Sequence, residues 1–220
     1  MIPTREFIAD ALSGALIDPR LRALYELCFL HRHHLRDDIV ADKLRLIGRL
    51  YADHGAGLGL SPEHGAHRLT CSSVDRWFGA LATAEDVQTA LLLELHKRVM
   101  DLFADLPDET ARSLASKYLH FHFPELFPVY DAVVDRASAA LSEGACGFLA
   151  LAESDPVYGE FHARCRKLGE RLGREIGRRL SPRELDRVLR AWSDWHAAGD
   201  GAAVGPGASR ADMAGAGWAC

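Results

Sequence analysis

Ser113, Lys117 and Asp131 are the residues of this 220-residue chain whose types and spacing could carry chemistry. Ser113 and Lys117 are four residues apart, one helical turn on one face. Downstream, HFHFPELFPVYD (120–131) stops an apolar run with Pro124 and Pro128 and then presents a single carboxylate, Asp131. The prolines return the chain so that Asp131 can approach the Ser113–Lys117 face. A lysine and a carboxylate brought together serve as nucleophile and proton-handling partner, or as stabiliser of a developing cation. The competing role is structural: Asp131 precedes AVVDRASAAL and would cap that helix, worth about 1 kcal/mol.

A second cluster is electrostatic. Residues 161–190 contain ten Arg/Lys and four Asp/Glu, a local charge of +6 in a chain of net charge −5. On one helix, Phe161, Cys165, Leu168, Leu172 and Ile176 form an apolar stripe, while Arg164, Lys167, Arg171, Arg174 and Arg178 fall in a separate arc. Those five cations are either a solvated face or a phosphate-contacting stripe roughly 20 Å long. The histidines are a weaker signal. His31, His34 and Asp38 have the spacing of a metal face on a helix, whereas His120 and His122, two apart, would point to opposite sides. The expectation is surface and core histidines, with no metal and no cofactor.

The elements that must position these residues read as all-helical. Asp18-Pro19 starts one helix, DDIVADKLRLIGRLYADHG forms the next, and residues 55–73, rich in Gly, Ser and His, read as a loop. Helix resumes after Ser73 as cap, then over AEDVQTALLLELHKRVMDLFADL, and again from Asp108 as cap until Pro124. Two further helices span 156–180 and the stretch after Ser181, where Ser-Pro-x-Glu is a capping box. From residue 199 to 220 the composition turns Gly/Ala-rich and predicts a disordered tail. The expectation is therefore one all-α domain over 1–198 and a tail over 199–220.

At 48% hydrophobic content the chain can bury a sizeable core, and it shows no apolar run of bilayer length and no signal-peptide layout. Five scattered cysteines without CxxC (Cys28, Cys71, Cys146, Cys165, Cys220) read as reduced thiols, which predicts a cytoplasmic location.

The segment LPDETARSLASKYLHFHFPELFPVYDAVV (106–134) resembles the core of the helix-hairpin-helix DNA glycosylase superfamily, which includes the 8-oxoguanine and adenine-mismatch glycosylases. In that family a P-x-x-F-P-V type loop leads into an aspartate, matched here by Asp131, that stabilises the oxocarbenium-like sugar as the base departs. Bifunctional members carry a lysine eighteen residues earlier; that position is Ser113 here, as in the monofunctional, adenine-mismatch type, with Lys117 one turn later. The family hairpin Leu-Pro-Gly-x-Gly is replaced by Leu106-Pro107-Asp108-Glu109-Thr110.

The resemblance implies a two-lobed helical fold with a cleft, and excision of a modified or foreign base from DNA, double- or single-stranded, in repair or phage defence. The target nucleotide would be flipped into the cleft. Asp131 would face the sugar cation, Lys117 would be a nucleophile or nearby cation, and Tyr118, Phe121 and Tyr130 would be stacking walls or plain core. Two alternatives stand beside this: an inactive glycosylase-like scaffold that docks a protein partner through its basic helix, and a His-rich metal enzyme on another helical fold.

Overall fold

The computed structural model describes residues 2–13, 18–51, 59–83, 88–142 and 153–199, and every regular element within them is an α-helix. In order these are α1 (Arg5–Ser13), α2 (Pro19–Leu30), α3 (Asp37–Tyr51), α4 (Pro62–Thr70) and α5 (Val74–Ala82). They are followed by α6 (Thr89–Asp101), α7 (Asp108–His122), α8 (Ala132–Leu141), α9 (Pro156–Ile176) and α10 (Pro182–Gly199). The expected tail beyond Gly199, Cys146, Cys220 and the residues preceding α6 at 84–87 lie outside the described residues. Among those described, no helix is long and apolar enough to cross a membrane.

Local chemistry sets the helix ends. The Asp18 carboxylate accepts from the Arg20 amide with Pro19 in the first turn, as the sequence predicts. At α10 the Ser181 hydroxyl accepts from the Glu184 amide at 3.3 Å and the Glu184 carboxylate accepts from the Ser181 amide at 3.0 Å, the expected capping box. Residues 62–70 are helix rather than loop. Ser61 caps α4 and Pro62 opens it, while Gly65 lets it press onto α3: a Cβ there would lie 2.9 Å from a Leu44 methyl. Two expected caps are displaced. The oxygen that accepts from the Val74 amide is that of Ser72, not Ser73, and α7 has Pro107 at its N-cap with Asp108 already inside the first turn.

The core stripe of α9 is as the sequence predicts, with Phe161, Cys165, Leu168 and Leu172 buried and Ile176 packed against them. The helix ends earlier than the basic pattern suggests. Gly177 adopts φ 76°, and the amides of Gly177 and Arg178 return to the carbonyls of Arg174 and Gly173. Arg178 therefore lies beyond the helix. α7 packs on α6, α2 and α3, while α8, α9, α10 and α1 pack on one another. The segment 127–131 links the two groups.

Candidate functional site

That linking segment is extended, and its backbone polar groups are tied to the helices on either side. The Phe127 carbonyl accepts from His120 Nδ1 at 2.7 Å, and the Pro128 carbonyl accepts from the Tyr158 hydroxyl at 3.0 Å. The Tyr130 amide donates to Ser116 Oγ at 2.9 Å, and the Tyr130 carbonyl accepts from Ser113 Oγ at 3.1 Å. Because Phe127 O can only accept, His120 carries its proton on Nδ1, so Nε2 accepts from the Tyr25 hydroxyl at 2.6 Å. Four anchors thus deliver residue 131 to one point.

There Asp131 caps α8: Oδ1 accepts from the amides of Val133 and Val134, both at 2.9 Å. Its Oδ2 is bonded by Arg190 Nη2 from α10. The same guanidinium donates through Nε to Asp186, at 3.1 and 3.2 Å to its two oxygens. Ser113 and Lys117 meet as their spacing predicts, with Lys117 Nζ donating to Ser113 Oγ at 2.7 Å and lying 4.4 Å from the Tyr51 ring centre. The structure thus brings Ser113, Lys117 and Asp131 into one neighbourhood with Asp186, Arg190 and Tyr51.

The electrostatics follow from partial burial. Burial pushes the Lys117 amine down to about 8, with Asp131 pulling the other way. Burial pushes the Asp131 carboxyl up, but Arg190, the Val134 amide and Lys117 outweigh it and hold it below the ordinary carboxylate value. Burial raises Asp186 despite Arg190. With side chains 12% and 23% exposed, Asp131 and Arg190 form a half-shielded pair beside an amine that is partly neutral near neutral pH. Such a group can place negative charge opposite a developing cation and hold or release a proton at Nζ.

The other residues named from sequence are distributed differently. Tyr118 and Tyr130 are buried in the core, Tyr130 against Phe161 and under Arg112. Phe121 is buried too, but its edge lines a cavity with Tyr25 and Phe29. The basic arc divides. Arg164 is bonded by Asp135, Glu160 and Ser138, Arg171 donates to the Leu141 carbonyl at 3.4 Å, and Arg178 pairs with Glu184 at 2.6 Å. Lys167 and Arg174 are exposed. The three-residue metal face does not form, because α2 ends at Leu30: His31 is its C-cap, His34 is buried against Asp75, and Asp38 pairs with Arg36.

Sequence reasoning missed Asp186, Arg190 and Tyr51. Asp186 and Arg190 have an i,i+4 spacing that reads as a surface ion pair, and nothing local ties them to a residue 59 positions earlier. It also missed Lys43, fully buried, whose ammonium donates to the His31 carbonyl at the end of α2. No family model, curated protein or solved structure matches this chain.

Proposed function

We propose that this chain is a monofunctional DNA N-glycosylase that excises a modified or foreign base, with its helices arranged as two lobes around a cleft. The observation that carries the reading is the joint placement of Asp131 and Lys117: an anionic carboxylate fixed at a helix start beside an amine pushed down to about 8. In this scheme the C1′–N bond breaks with its electron pair leaving on the base, and water adds to C1′. Asp131 stabilises the sugar cation between these events. Ser113 occupies the position at which a nucleophilic lysine would form a Schiff base, and it already holds Lys117 through a hydrogen bond. Lys117 therefore serves as a cation near the phosphate or leaving group rather than as the nucleophile. The exposed cations Lys167 and Arg174 contact the backbone of the strand.

The test is borohydride reduction during turnover on DNA carrying modified bases. An abasic product with an intact strand and no protein–DNA adduct is expected from the natural sequence. Ser113→Lys is expected to create an adduct, and an adduct that is lost in Lys117→Ala would reverse the assignment. The second reading, an inactive scaffold that docks a protein partner, is favoured by one observation: both Asp131 oxygens are already engaged, by two amides and by Arg190.

A further inference from the structure

We propose that the Phe29–Arg36 segment and the C-terminal end of α7 form a stacking site for the unpaired bases of a nucleic-acid single strand. The inference rests on the nucleic-acid part of the reading above, and not on bond cleavage at Asp131.

Three large apolar side chains stand in solvent here: Phe29 is 66% exposed, Leu30 73% and Leu35 84%. A core would bury them, and single scattered exposures would need no account, but these are clustered within seven residues. The same stretch, FLHRHHLR, contains two arginines and three histidines; Arg36 is paired with Asp38, so Arg32 is the cation that the patch presents. Arg32 holds its guanidinium over the Phe29 ring, 4.7 Å from the centre. That is one layer of a cation–ring stack with its outer face open to another planar group.

Two cavities of about 550 and about 560 Å³ open at this place and share Arg32, His122 and Pro124. Rings wall both: Tyr25, Phe29 and Phe121 in the first, Phe78 and Phe123 in the second. His122 stands between them. Its Nε2 is 3.4 Å from Lys43 Nζ. An imidazole shared by two ring-walled spaces can meet the edge of a heteroaromatic ring.

Three carboxylates line the two cavities, and of these Glu125 is exposed at the second. Asp75 accepts from the amide and the ring of His34, and Glu26 is paired with Arg22 at 2.8 Å. Flat walls for rings and a cation within reach of the strand, here Arg32, are the two components of single-strand binding without base-sequence readout. Two adjoining spaces suit two successive bases. A lipid chain or an apolar peptide would use the hydrophobic surface but would not match the stacked guanidinium.

The experiment is a fluorescence-anisotropy titration of the full chain with a labelled oligothymidylate and with an abasic strand of equal length, at the same salt. The thymidine strand contains no modified base, so a failure to excise bases elsewhere leaves this result intact. The proposal predicts that the thymidine strand binds about tenfold or more tightly than the abasic one. Phe29→Ala and Arg32→Ala, both at exposed positions, are expected to remove most of that ratio with melting temperature unchanged. Equal affinity for the two strands, no binding of either, or a ratio unaffected by Phe29→Ala would overturn it. Competition by thymidine monophosphate at the strand's own affinity would overturn the assignment to a strand.

Discussion

Two aspartates in this fold do the same structural job in different surroundings. Asp131 caps α8 and is held by Arg190 of α10; Asp155 caps α9 and is held by Arg112 of α7. The Asp155 pair is the drier, with side chains 5% and 10% exposed, and it is backed by His96 stacked on Tyr158 with ring centres 3.5 Å apart. The Asp131 pair is more open and has an amine, a hydroxyl and a second carboxylate beside it. Capping and clamping alone therefore do not mark a reactive site, since Asp155 has both. What separates Asp131 is Lys117, pushed down to about 8 within its field.

The largest contrast expected between the two regions is in acid. Burial holds His96 down at about 3 and His162 at about 4, against an ordinary 6.5, both around Tyr158 in the Asp155 region. It also holds His120 of α7, which anchors the segment leading to Asp131, at about 4. A histidine depressed in the folded state binds protons first in the unfolded chain, so stability is intact above pH 6.5 and falls as pH drops toward 4. The loss approaches roughly 3 kcal/mol per group, a large share of a typical domain's stability. Hydrogen exchange at decreasing pH is expected to show α6, α7 and α9 losing protection before α8, which contains no histidine. Simultaneous loss throughout would break the contrast.

Next in size are the clamps themselves. Asp155→Asn leaves the buried Arg112 guanidinium without a carboxylate and is expected to cost about 3 kcal/mol in urea denaturation. Asp131→Asn keeps a capping oxygen, and Arg190 keeps Asp186, so about 1 kcal/mol is expected there. Equal costs would mean that the Asp131 pair is as structural as the other.

The smallest stability effects belong to the exposed cations. Reversing Lys167 and Arg174 to Glu is expected to change stability by less than about 0.5 kcal/mol. The same double variant is expected to weaken DNA binding and to flatten its salt dependence by about one unit of slope for each phosphate no longer neutralised. Arg164→Ala is expected to do the opposite, costing stability through Asp135 and Ser138 with little change in the salt slope.

The parts of this fold legible in the sequence are those fixed by neighbours a few residues away. Asp18-Pro19, the Ser181–Glu184 box and the cap role of Asp131 are local hydrogen-bond patterns, and each is present. Ser61-Pro62-Glu63 is nearly the same signal, but it sits among glycines and histidines with no apolar period. The helix that it starts is secured by packing against α3 rather than by its own pattern. The early end of α9 hinges on Gly177, whose role becomes visible only in the left-handed turn that sends Arg178 to Glu184. At the candidate site the Ser113–Lys117 bond is legible because it spans one turn, whereas Arg190 and Asp186 reach Asp131 across more than 50 residues and carry no local mark. Tyr118 and Tyr130 are ambiguous in the sequence because helical spacing and aromatic character serve a core and a stacking wall equally well.

The account rests most heavily on the charge of Asp131. The direct measurement is base release, by mass spectrometry, from a panel of duplex and single-stranded DNAs carrying modified bases, comparing the natural sequence with Asp131→Asn. The predicted result is release by the natural sequence and a fall of about a hundredfold or more in the variant, with melting temperature lowered by only a few degrees. Equal release by the two proteins, or none by the natural sequence across the panel, would contradict it.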